Sequence, residues 1–143
     1  MEENGNRNNN SFLEYERKNP KGLYHQGWKD GIDVLRINAP VAIVEAQGYQ
    51  YLALREIGSI ASQKKDTNLS EQLAQRADVL KLEFNKRFWM KNEKYFALAI
   101  DGKKKQREAI TSNPGHCLFT GIIDENKLDD TVARLFKEDM WTQ

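Results

Sequence analysis

Between Val41 and Leu54 the chain carries apolar residues at nearly every position, interrupted mainly by Glu45, Gln47, Gly48 and Gln50. Wound into a helix, these side chains point in every direction, and such a helix has to be surrounded by protein. This limits the fold more than any other feature, because the remaining residues must supply that surround. Pro40 suits the first helical position, where its missing N–H would have had no partner. A second helix is expected from Leu69 to Phe88, with Asn68 and Glu71 spaced as a capping box. Its apolar positions Leu73, Ala77, Leu80, Phe84 and Phe88 keep helical spacing, while Glu71, Gln75, Asp78, Glu83 and Lys86 fall elsewhere on the wheel. That pattern describes an outer, half-exposed helix.

The same alternation continues. A short alternating stretch, Tyr95 to Ile100, reads as extended and is ended by Asp101 and Gly102. Thr111-Ser112-Asn113-Pro114 signals another helix start, and Cys117 to Ile123 is again apolar on all sides. A last helix is expected with Leu128, Val132, Leu135 and Phe136 on its buried face. The order buried, amphipathic, buried, amphipathic points to two concentric helical layers, since a four-helix bundle would show four similar stripes. The expected class is all-α, a partial α/α toroid of about four long helices with one short extended segment. A toroid needs more helices than four, so the 143 residues are read as part of a larger domain.

Two segments stand apart from the helices. Residues 1–11 open with Met-Glu-Glu-Asn-Gly-Asn-Arg-Asn-Asn-Asn, too polar to join a core, and are expected to be a mobile tail preceding a domain over 12–143. Phe12 to Ile37 has no sustained helical period but contains Tyr15, Tyr24 and Trp28 among several glycines. Irregular segments longer than about 12–15 residues are usually functional or disordered, and the aromatics favour function.

Composition removes several partner classes. Twenty-two Lys and Arg stand against 21 Asp and Glu for a net charge of +1. Neither sign clusters enough for a nucleic-acid or anionic-membrane footprint. One cysteine, Cys117, and two histidines, His25 and His116, leave no disulfide and no zinc site of Cys and His. No metal or cofactor is expected. No apolar run approaches the ~20 residues of a membrane span, and acidic residues stand where a signal peptide would be basic. A cytoplasmic location is therefore expected. The mean hydropathy of -0.77 is polar for a self-sufficient globule but not polar enough for disorder, so a folded chain is expected.

Three clusters hold the side chains suited to chemistry. In His25-Gln26-Gly27-Trp28-Lys29-Asp30, an indole, an amide, an ammonium and a carboxylate share one glycine-flanked loop, a set that suits a sugar's apolar face and hydroxyls. Asp30 beside Trp28 would be partly desolvated, which favours the protonated acid. The alternative is a loop anchored by a core Trp with a solvated Asp. Glu45 and Gln47 lie on the apolar helix, so each needs a partner or a cavity, and helix-packing hydrogen bonds are the simpler account. Thr111 to His116 is a polar helix start, suited either to a polar ligand or to plain capping by Ser112 or Asn113. His116 and Cys117 are neighbours on a helix and do not face each other, so they are not a nucleophile pair.

Five runs, in order, resemble the amylo-alpha-1,6-glucosidase or glycogen-debranching-type family of six-hairpin glycosidases. They are Gly22 to Asp30 (GLYHQGWKD), Val44 to Tyr49 (VEAQGY), Phe84 to Trp89 (FNKRFW), Tyr95 to Gly102 (YFALAIDG) and Thr111 to His116 (TSNPGH). The resemblance covers about Phe12 to Met140. It implies an (α/α)6 toroid and hydrolysis of alpha-linked gluco-oligosaccharides with inversion. By the resemblance, Asp30 is the general acid. Gln26, Trp28 and Lys29 bind the sugar, with Glu45, Gln47, Asn113 and His116 as further substrate contacts. The chain departs from similar proteins at Gly31, where they usually have Ser, and in stopping at Gln143, where relatives continue through more helix pairs.

Inversion requires two carboxyls about 6.5–9.5 Å apart. In similar enzymes the base belongs to that continuation, and Glu45 is the local alternative. The isolated chain is therefore expected to carry a half-built site with negligible hydrolysis. A non-catalytic carbohydrate-binding or assembly module is the other reading. Inner-helix faces left without neighbours would favour self-association.

Overall fold

The computed structural model describes residues 11–22 and 37–140. Phe12 enters the core fully buried, and Tyr15 exchanges two backbone hydrogen bonds with Val41, of 2.9 and 2.8 Å. Strand β1 (Ala42–Ile43) runs directly into helix α1 (Val44–Gln63), and α2 (Thr67–Arg87) follows after Lys64, Lys65 and Asp66. Next come β2 (Trp89–Met90), β3 (Tyr95–Phe96), β4 (Ala99–Ile100) and β5 (Gln106–Arg107). A 3-10 turn (Asn113–Cys117), α3 (Glu125–Leu135) and a second 3-10 turn (Glu138–Met140) complete the described chain. Strands β2 and β3 pair as a hairpin. The order β1-β4-β5 forms an antiparallel sheet with Ala42 opposite Ile100 and Ala99 opposite Arg107.

This is a mixed α+β architecture, and it overturns the all-α partial toroid expected from the helical alternation. Two of the four expected helices change character. Val41 to Ile43 are apolar because they lie extended inside the fold, their backbone groups committed to Tyr15 and β4. The helix therefore starts at Val44, not at Pro40. Cys117 to Ile123 is not an inner helix either: the 3-10 turn ends at Cys117, and the chain continues through turns that bury Cys117, Ile122 and Ile123. A short apolar run demands burial without choosing between strand, turn and helix.

The α1–α2 pair is the main helical contact. Leu54, Gly58 and Ala61 of α1 and Leu73 and Ala77 of α2 are buried, and a Cβ on Gly58 would lie 3.5 Å from that of Leu73. The expected face of α2 is the observed one: Leu73, Ala77, Leu80, Phe84 and the following Phe88 are all buried. Its cap is Asp66, whose carboxylate accepts the N–H of Leu69 at 3.1 Å, and not the expected box at Asn68 and Glu71. Helix α1 is not enclosed on every side, because Tyr49, Ile57 and Ile60 are exposed.

Helix α3 keeps half of the expected face, with Leu128 and Leu135 packed against core residues. Thr131 and Arg134 are buried, whereas Val132 and Phe136 are exposed. Two polar contacts make that orientation tolerable: Thr131 Oγ1 donates to Lys127 O at 2.7 Å, and Arg134 forks onto Asp139 at 2.8 and 2.7 Å.

Buried amides tie the segments together. Asn85 Nδ2 donates to Ile122 O at 2.7 Å and to Lys81 O at 2.9 Å, while its Oδ1 accepts from Asp124 N at 2.9 Å. Gln106 Nε2 reaches Arg87 O and Trp89 O at 2.7 and 3.2 Å, joining β5 to the end of α2. These bonds pair backbone groups of the helix end, the turn and the first hairpin strand with side-chain amides.

The turn after β4 is built on Asp101. Its Oδ1 accepts from Lys103 N and Lys105 N at 2.9 and 2.8 Å, and its Oδ2 accepts from Asn38 Nδ2 at 3.2 Å. Burial by itself pushes this carboxyl up, but the hydrogen bonds from Lys105, Asn38 and Lys103 together with the Lys105 charge outweigh it, and the net shift is downward. A depressed folded-state value means stability that is present above the unfolded value, about 3.9, and is lost as pH falls through the folded one. Asp101→Asn is expected to cost about 1–3 kcal/mol at pH 7, with the gap to the parent shrinking below about pH 4. Urea midpoints at both pH values check this, and a gap independent of pH contradicts it.

Candidate functional site

Four of the site residues expected from sequence, Gln26, Trp28, Lys29 and Asp30, lie outside the described residues. The other four fall at one end of α1, where the 3-10 turn packs across it, but they do not act together.

Glu45 sits in the first turn of α1 and is buried. Across from it, Asn113 opens the 3-10 turn and donates Nδ2 to Glu45 Oε1 at 2.8 Å. The two residues are 68 apart in sequence and meet because α1 and the turn pack closely. Gly48 permits that approach: a Cβ there would stand 3.0 Å from Cys117 Sγ and 3.3 Å from the Thr120 side chain. On the far side of the turn, a Cβ on Gly115 would meet Leu135 of α3 at 3.4 Å. The turn is thus held between α1 and α3, which fixes Asn113 over the helix start. Two polar atoms of this turn, Asn113 Oδ1 and Thr111 Oγ1, are buried without a hydrogen-bond partner among the described residues. Unsatisfied acceptors of this kind are uncommon in folded proteins.

Gln47 points the other way. Its side chain accepts from Leu13 N at 2.9 Å and donates to Leu13 O and Ile43 O, both at 2.9 Å. It is fully buried and spent on joining the first described segment to α1. The packing alternative for this residue is the one its geometry favours, and a substrate contact has no room there.

His116 lies one step further along the turn. Its Nδ1 shares a hydrogen bond of 2.8 Å with the Tyr49 hydroxyl, and the two rings meet edge to face at 6.1 Å. Tyr49 also lies beside Phe119, with ring centroids 6.2 Å apart. Tyr49 is 44% and Phe119 66% exposed, so two outward-facing aromatic rings inclined at 42° stand beside the half-buried imidazole of His116. Sequence reading missed both aromatics, because Tyr49 and Phe119 stand in runs that read as core. The available signal was that Tyr49 lies one helical turn beyond Glu45, on the same side of α1.

Cys117 is enclosed, its Sγ donating to Val44 O at 3.5 Å. Burial first, and then the charge of Glu45, pushes its thiol far above the ordinary value. A thiol held protonated in this way is inert, in keeping with the rejection of a His116–Cys117 pair.

Chemically, the arrangement offers stacking surface and hydrogen-bonding groups. It does not offer paired carboxyls for acid and base work: Glu45 is committed to an amide in a buried setting. Among the described residues no group of three His, Cys, Asp or Glu is placed to hold a metal, and no helix is long and apolar enough to cross a membrane. Compared with protein-family models the chain matches none, and no curated protein matches it.

Proposed function

We propose that this chain is a carbohydrate-binding segment of the glycosidase type it resembles, receiving an alpha-linked gluco-oligosaccharide on the surface of Tyr49, His116 and Phe119. The exposed aromatic pair carries the reading. A pyranose presents an apolar face to a ring and hydroxyls at its rim, and an aromatic surface flanked by an imidazole and a phenol complements both. The Glu45–Asn113 pair supports the 3-10 turn that carries His116. In this reading Asp30 keeps the role of general acid implied by the resemblance. A second carboxyl is still needed for inversion, and Glu45 is too enclosed to activate water.

The chain is expected to bind maltotriose or a longer maltodextrin in calorimetric titration while releasing no reducing sugar. Tyr49→Ala combined with Phe119→Ala should weaken binding roughly tenfold, at about 0.5–1.5 kcal/mol per ring. Unchanged affinity in the double variant would remove this surface from the function. Steady hydrolysis by the parent chain that Asp30→Asn abolishes would instead make it an enzyme in its own right.

A further inference from the structure

We infer that the end of the β1-β4-β5 sheet carrying the β4–β5 turn is a docking surface for an acidic polypeptide segment. The observation is a convergence that the sequence does not display. Lys103, Lys104 and Lys105 are consecutive and exposed, on a turn whose shape is imposed from inside by Asp101. The pairing register brings a second basic stretch to the same end. Tyr15 is bridged to Val41, so Arg17 lies on the Ala39 side of that bridge, and Ala39 is in close contact with Gly102 at the root of the lysine turn. Exposed Lys18 and Lys21 follow directly in the turn where Arg17 Nη1 donates to Gly22 O at 3.3 Å.

Among the described residues, the five exposed lysines of this end outnumber the exposed carboxylates beside them in the chain. Asp101 is turned inward and occupied by three donors. Glu16 and Glu108 are the others near it in the chain, one beside each basic stretch. Among the described residues, none of Lys18, Lys21, Lys103, Lys104 and Lys105 takes part in an ion pair, whereas Arg55, Arg87, Lys94, Lys127 and Arg134 all do.

The chemistry of the patch selects the partner. Lysines on a convex turn offer mobile point charges and not the planar fork that suits bases and phosphates. No exposed aromatic stands on the turn to stack a base, and no apolar side chain projects from it to enter a bilayer. A cavity of about 130 Å³ lined by Tyr15, Glu16, Arg17, Ala39 and Val41 opens beside Arg17. An extended Asp- or Glu-rich segment complements the row of exposed lysines on the turn.

The test is fluorescence anisotropy of a labelled oligoglutamate peptide with the full chain. Binding is expected at low salt and should weaken as the Debye length shortens. The K103E/K104E/K105E variant should weaken it roughly tenfold or more. A control of equal net charge, K64E/K86E/K137E, should change it less than about twofold, with circular dichroism showing that both variants are folded. Equal losses in the two variants, or no binding by the parent, overturn the inference. Tighter binding of a single-stranded oligonucleotide, or of vesicles containing phosphatidylserine, also overturns it in favour of those partners.

Discussion

Phe84→Ala is expected to cost about 3–5 kcal/mol, the range for removing a fully buried aromatic ring. Phe84 is buried in full and stacks on Phe88 at 5.0 Å and on Phe96 at 4.9 Å. Those two rings extend the contact further. Phe88 meets Phe12 edge to face at 5.2 Å, and Phe96 meets Trp89 at 4.9 Å. One side chain thus connects α2, the β2–β3 hairpin and the first described segment. Domains are stable by only about 5–15 kcal/mol, so the loss should leave the protein close to its unfolding midpoint at ambient temperature. Phe84→Leu keeps most of the volume and should cost markedly less. Denaturant unfolding of both variants checks the claim, and a Phe84→Ala loss below about 1 kcal/mol would mean that the stack does not organise the core.

Gly102→Ala is the second large effect, and it acts through backbone. A Cβ at Gly102 would run into the carbonyl oxygen of Ala39 and lie 2.7 Å from its carbon and 2.9 Å from Pro40 Cδ. Backbone cannot rotate away as a side chain can. Gly102 N also donates to Asn38 O at 2.8 Å, and Asn38 in turn holds Asp101. Relief of the clash would therefore disturb the whole turn. A loss of about 3 kcal/mol is expected, at the upper end for overpacking. Gly48→Ala is the informative contrast. There the close neighbours are the side chains of Cys117 and Thr120, and the helix gains up to about 1 kcal/mol from replacing Gly by Ala. The two substitutions should be separated clearly in thermal denaturation. Similar melting temperatures would show that the contact of Gly102 with Ala39 is easily relaxed.

The parts of the fold that could be read from sequence share one property. Helix α2 is legible because a single helical stripe, Leu73 to Phe88, packs against one side of the protein, so burial repeats with the helical period. The turn at Asp101 and Gly102 is legible for a similar local reason, since an Asp accepts N–H groups two and four residues ahead of it. The misreadings occur where burial comes from distant partners. Val41 to Ile43 are apolar because Val41 pairs with Tyr15, and Ala42 and Ile43 pair with Ile100 and Ala99 more than fifty residues further on, and a run of three apolar residues has no period of its own. On α3, Leu128 and Leu135 pack inward as expected, but Arg134 lies inward too, accompanied by Asp139, while Val132 and Phe136 are exposed.

The candidate site divides in the same way. Glu45 stood out because a polar group within an apolar run needs a partner, and Asn113 and His116 because they belong to a polar cluster that reads as a helix start. Which partner each finds was not legible. Gln47, two positions from Glu45, turns to Leu13, while Glu45 turns to Asn113, because residues two apart on a helix point to different sides.

By itself, the sequence determined that this chain folds around a strongly apolar segment and a long amphipathic helix, and its single cysteine excludes an intrachain disulfide. The tertiary structure decided that the apolar segments become a mixed α+β core and not concentric helices. It decided too that Tyr49 and Phe119 face outward together and that two separate basic stretches meet at one sheet end. Composition and periodicity are local quantities. Register and packing direction depend on hydrogen bonds and contacts between residues far apart in the chain, and those exist only once it has folded.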